Sequence, residues 1–82
     1  MSFVFVLHYR DSYEEDSIPY LTRDEAEEEM MRRLIKLAVE INLVQCIVYN
    51  SPEKTLASLN RQWTLRSDMK PWWHYDIQEE LM

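Results

Sequence analysis

Residues 2–9, SFVFVLHY, are apolar at nearly every position. Phe3, Phe5, Leu7 and Tyr9 fall on one face of an extended chain, and Val4, Val6 and His8 on the other. Two largely apolar faces predict a strand in the interior of a sheet. The segment RDSYEEDS is then a polar loop. SIPYL can add a short strand, which Pro19 confines to an edge because proline lacks the N–H that a central ladder needs.

From Thr22 the period changes. Thr22 with Glu25 forms a T-x-x-E capping box, and Asp24, Glu25, Glu27, Glu28 and Glu29 crowd the turns where a helix dipole favours negative charge. Glu28–Arg32 and Glu29–Arg33 are i,i+4 pairs in the favourable order. Ala26, Met30, Leu34, Leu37, Ala38 and Ile41 recur at helical spacing, which predicts a long helix ending near Asn42. Met31, Ile35 and Val39 form a second stripe beside the first. The pair covers more of the circumference than one small sheet needs, so a further element is expected there.

LVQCIVYN reads as a mostly buried strand, SPEK as a type I turn with Pro52 in its second position, and TLASLNRQWTLR as a second strand. In that last segment Ala57, Leu59, Trp63 and Leu65 would share one face with Arg61, which would then need a carboxylate or the sheet edge. Trp73, Ile77 and Leu81 are spaced by four, which suggests a short C-terminal helix whose apolar side covers Met31, Ile35 and Val39. The expected fold is a two-layer α+β domain spanning residues 1–82. One long helix packs on a small, mostly antiparallel sheet of three or four strands, and a short helix ends the chain.

Composition narrows the functions. Glycine is absent, which removes every glycine-dependent phosphate loop and leaves turns to Pro, Asn, Asp and Ser. The single cysteine, Cys46, excludes an internal disulfide and suits a reducing, cytoplasmic setting. The apolar start is too short and too interrupted for a signal peptide or a membrane span. Net charge is −6, unevenly spread: residues 1–30 carry −7, residues 31–67 carry +4 and residues 68–82 carry −3. That balance disfavours nucleic acid or anionic membrane as a partner of the whole surface.

Two segments stand out as docking chemistry. Nine carboxylates lie within residues 11–29, and of these Glu14, Glu15, Asp16, Glu25, Glu28 and Glu29 are the candidates for steering a basic partner. KPWWHY places two tryptophans, a histidine and a tyrosine near the end of the chain. Adjacent tryptophans point in different directions, so Trp73 is expected in the core with Trp72 outside, and Trp72 and Tyr75 are the candidate anchors. His74, Asp76 and Glu79 match no specific zinc spacing, and no metal or cofactor is expected. His8, His74 and Cys46 are the obvious catalytic candidates, but with no glycine loop or metal signature the chain is not expected to be an enzyme.

In size, charge and aromatic content the chain resembles the small acidic antagonist proteins of phages and mobile elements, and immunity proteins, without sharing an alignable stretch with them. The expected function is a small protein-binding module that inhibits by occluding a partner's basic or nucleic-acid-binding site. Two alternatives stay open. One is a structural homodimer sealed by the spare helix stripe and the tryptophans. The other is a nucleic-acid-binding protein using Arg61, Arg66 and the basic residues of the long helix, a base stack on Trp63 being disfavoured by its place on the apolar face.

Overall fold

The computed structural model describes residues 2–82. Its elements run β1 (Phe3–Arg10), β2 (Glu15–Tyr20), α1 (Arg23–Glu40), a 3-10 turn (Val44–Cys46), α2 (Pro52–Ser67) and β3 (His74–Leu81). The sheet has the order β2-β1-β3, and both pairings are antiparallel. The α+β class, the long first helix, the central position of β1 and the edge position of the Pro19 strand all match the sequence reading.

Register sorts the sheet into two faces. Leu7 stands between Ile18 and Ile77, and Tyr9 faces Tyr75, all toward the helices. The opposite face carries Val4, Val6, His8 and Arg10 flanked by Glu15, Ser17, Pro19, His74, Asp76, Gln78 and Glu80. Leu7, Leu34 and Leu59 are fully buried and mark the centre of the core.

The start of α1 is capped as its sequence demands. The Thr22 hydroxyl accepts from the Glu25 N–H at 3.2 Å and donates to the Glu25 carboxylate at 3.0 Å. The helix stops at Ile41, and Asn42 takes the left-handed conformation (φ 59°). Asn50 and Asp68 adopt it too, with φ of 60° and 58°. In a chain without glycine, Asn and Asp carry these turns because their short polar side chains tolerate positive φ.

Three elements differ from the sequence reading. Residues 43–50 are not a strand. Leu43, Cys46 and Ile47 point inward at i, i+3, i+4 spacing, and the segment is a return loop containing the 3-10 turn. Residues 52–67 are a helix rather than a turn and a strand. Ser51 caps it, accepting from the Lys54 N–H at 3.3 Å, and Pro52 sits at its first position, where a missing N–H costs nothing. Pro52, Thr55, Leu56, Leu59 and Trp63 form its inward stripe, while Leu65 is exposed. Arg61 is exposed on this helix, so the charge that a strand would have buried is solvated.

The chain ends in a strand, not a helix. Trp73, Ile77 and Leu81 are spaced by four, and four is a multiple of two as well as close to one helical turn. Tyr75 breaks the tie: it points inward with Ile77, as a period of two requires. The second stripe of α1 is therefore covered by α2 and not by the C-terminal segment, and only in part. Met31 is half-buried, while Ile35 is 41% and Val39 64% exposed.

The two helices run parallel. Glu27 senses Glu53 near their starts. Met31 Sδ, midway along α1, lies 3.8 Å from Thr55 Oγ1 in the first turn of α2. Arg66 Nη2 donates to the Ile41 carbonyl at 2.6 Å at their ends. The loop between them carries the chain back along α1 to the level of Glu27. Thr55, fully buried, ties that loop down: its hydroxyl accepts from the Val48 N–H at 2.9 Å and donates to the Val48 carbonyl at 3.1 Å.

Candidate protein-docking surface

The eight residues singled out by sequence do not form one surface. Glu14 and Glu29 are consumed inside the molecule. Arg33, a largely buried cation, lies 3.1 Å from Glu14, 2.7 Å from Glu29 and 3.5 Å from Asp11. Its guanidinium sits over the Tyr9 ring, and the Tyr9 hydroxyl donates to Glu14 at 2.7 Å. Glu29 also holds Arg32, and that hydrogen bond first, against the opposing effect of burial, lowers its pKa below the usual carboxylate range. Burial first, then the Glu14 bond, pushes the Tyr9 hydroxyl up to about 12.

Glu25 is exposed and accepts from the Thr22 hydroxyl at 3.0 Å. Glu15 stands exposed at the start of β2, 3.6 Å from Arg10. Asp16 accepts from the Ser17 N–H at 2.7 Å. Glu28 is exposed and has no ion-pair partner among the described residues. Trp72 is 37% exposed, with its ring edge-on to Trp73 at 5.0 Å. Trp73 is buried, donating to Asn60 Oδ1 at 2.6 Å and packing edge-on against Trp63. The split of the two tryptophans follows the sequence expectation. Tyr75 does not stand on the surface: it is 5% exposed and stacked on Tyr9, because strand geometry turns it to the helix side.

What sequence reasoning missed is a second acidic group that the parallel helices assemble. Asp24, Glu25 and Glu28 at the start of α1 stand with Glu53 at the start of α2, and Glu27 lies between them. Burial, and then the Glu53 charge, raise the Glu27 carboxyl above its ordinary value. A groove beside this end is lined by Asp24, Glu27, Glu28, Met31, Ile35 and Pro52, so carboxylates border an apolar floor. The signal for Glu53 was present: Ser-Pro-Glu is a helix start, with cap, first-turn proline and an acid for the dipole.

Ile35, which lines the groove, is one of several exposed apolar side chains. Ile35 and Val39 on α1 and Val44, Val48 and Tyr49 on the return loop are all exposed. The loop is held to α1 where Leu43 N–H bonds the Ala38 carbonyl and to α2 where Val48 bonds Thr55. Of the residues offered for nucleic acid, Arg61 is exposed, while Trp63 and Arg66 are engaged within the fold. Trp63 is half-buried beneath Arg66, whose guanidinium is committed to Ile41.

On the open sheet face His8 lies between Ser17, 2.7 Å from Nδ1, and Glu80, 2.6 Å from Nε2. One side chain comes from each strand, and the chain of bonds cross-links the sheet. The Ser17 N–H is taken by Asp16, so it is not free to stabilise an oxyanion beside its own hydroxyl. Cys46 is buried. His74 and Asp76 share the open face while Glu79 is on the other, and among the described residues no group of three or more ligand-type side chains converges on a metal position. Among the same residues no helix is long and apolar enough to cross a membrane. Comparisons with protein-family models, curated proteins and solved structures returned no match.

Proposed function

We propose that this protein is a small acidic binding module that docks on a basic surface of another protein and acts by occluding it. One observation carries the reading. The start of α2 lies beside the first turns of α1, which brings Glu53 near Glu27; Asp24 and Glu28 line a groove floored by Met31, Ile35 and Pro52, and none of Asp24, Glu28 and Glu53 has an ion-pair partner among the described residues. Carboxylates at the rim raise the rate of encounter with a basic partner. The apolar floor and the exposed apolar side chains, with Trp72 at the far end of α2, supply the anchoring contacts. A nucleic-acid-binding protein presents the complementary charge, which makes an inhibitor the natural role.

Affinity capture at low salt from lysate of the source cells, followed by mass spectrometry, identifies the partner. The variant carrying Asp24→Lys, Glu28→Lys and Glu53→Lys is then compared with the parent protein. An association rate lowered about tenfold or more at low salt supports the reading. An unchanged rate removes it. The exposed Ile35–Val39 strip favours the homodimer alternative, which a concentration-independent monomer mass by ultracentrifugation would eliminate.

A further inference from the structure

Tyr75 has a buried ring and a hydroxyl that still reaches the solvent of a groove. Its neighbour in the stack, Tyr9, donates to Glu14, whereas no hydrogen bond among the described residues reaches the Tyr75 hydroxyl. The residue is 95% removed from solvent yet lines a groove of about 630 Å³ between α1 and the loop joining β1 to β2. A polar atom so placed is one that a ligand can satisfy.

The groove is chemically two-sided. Asp11 and Glu40 lie near the hydroxyl, and after burial their charges raise its pKa, against the opposing pull of Arg33. Both oxygens of Glu40 accept only from neutral hydroxyls, Ser12 at 3.1–3.2 Å and Tyr13 at 3.3 Å. Asp11 caps the N–H groups of Tyr13 and Glu14 and touches Arg33. Ile35 and Val39 form an exposed apolar wall, and Tyr13 stands 86% exposed on the rim. Three cations border the groove. Arg33 is shared among Asp11, Glu14 and Glu29, and Arg32 is held by Glu29. Lys36 has no ion-pair partner among the described residues, and its long stem lets the ammonium turn to water.

We propose that this groove receives an arginine side chain carried by the protein partner. The aliphatic stem lies along Ile35 and Val39, the planar guanidinium forks onto the two oxygens of Glu40, and a remaining N–H reaches the Tyr75 hydroxyl oxygen. Tyr13 offers its ring face to the same cation. Arginine fits better than lysine because its fixed fork of donors matches several acceptors at once. This rests on the protein-binding reading above and names the chemistry of the contact. Ile35 and Arg32 also line the acidic groove, so one partner segment can cross the α1 ridge and occupy both.

The test is a ¹H–¹⁵N NMR titration of the intact chain with n-butylguanidinium, with n-butylammonium and n-butanol as comparators. Saturable shifts at residues 11–14, 36–40 and 75 are expected, with a dissociation constant of about 1–10 mM. Tyr75→Phe, which keeps the stack, and Glu40→Gln each weaken binding at least about threefold with the amide spectrum otherwise retained. Butylammonium binds at least about threefold more weakly than butylguanidinium. Absence of saturable shifts, full binding by Tyr75→Phe, equal binding of both cations, or shifts centred on Asp24, Glu28 and Glu53 overturns the assignment. Any of these leaves the association-rate test of those three carboxylates standing, so the two readings fail separately.

Discussion

The guanidinium carbon of Arg33 lies 3.9 Å from the centroid of the Tyr9 ring. That one contact joins the middle of α1 to the end of β1, and Asp11, Glu14 and Glu29 close around it. Arg33→Ala leaves three carboxylates facing one another and uncovers the ring. Its cost should be roughly 2–3 kcal/mol, below the full figure for a buried pair because Glu14 is half exposed to solvent. Urea unfolding followed by tryptophan fluorescence measures it. Arg33→Lys should recover only part, since an ammonium cannot serve three carboxylates and the ring together.

Thr55 has the same kind of role between α2 and the return loop. Thr55→Val keeps the shape and deletes the hydroxyl, so both the N–H and the carbonyl of Val48 lose their partner. A loss of about 1–3 kcal/mol is expected. Amide exchange at Val48 should quicken more than exchange within β1, because the loop is released before the sheet is.

Glu27 and Glu29, two residues apart, should move stability with pH in opposite directions. The folded pKa of Glu27 is raised, so its ionised form carries a cost that is fully present above that pKa and vanishes as pH falls below the unfolded value of 4.5. Glu27→Gln should therefore stabilise the protein at pH 7, with the gain shrinking toward pH 4.5. The folded pKa of Glu29 is lowered, so its stabilisation is present above 4.5 and lost as pH falls through the folded value. Glu29→Gln should destabilise at pH 7 and flatten the acid limb of the stability curve. Thermal midpoints of the two variants between pH 3 and 7 decide the signs.

Trp63 carries an indole N–H that is buried and unpartnered among the described residues. Its ring packs edge-on to Trp73 at 5.5 Å. Trp63→Phe keeps an aromatic ring there and removes the unpaired donor, so it should cost less than about 1.5 kcal/mol despite the loss of volume. Trp73→Phe should cost more, because it strands the Asn60 carbonyl oxygen. Denaturation midpoints of the two variants, compared side by side, test the order.

Left-handed turns without glycine leave a different mark. Asn42→Ala should destabilise by about 1 kcal/mol, since a Cβ without a polar group is disfavoured at φ 59°, while Asn42→Gly should be close to neutral. Paired thermal melts check this.

Where the local pattern admitted one period, the sequence determined the structure. The dense apolar run of β1, the proline that sends β2 to an edge, and the capping box with its long stripe in α1 each point to a single element. The absence of glycine left the turns to Pro, Asn, Asp and Ser, and the fold placed Asn42, Asn50 and Asp68 at the left-handed positions. Tertiary structure decided the rest because the competing periods overlap. Alternate residues in 57–65 mimic a strand, yet Ser51, Pro52 and the Thr55–Leu59–Trp63 stripe close a helix. Trp73, Ile77 and Leu81 suit a helix or a strand equally, and the free edge of β1 chose the strand. The same packing took Glu14 and Glu29 out of the acidic surface by giving them Arg33. It brought Glu53 in by laying α2 parallel to α1, a proximity between residues more than twenty positions apart that no local pattern encodes.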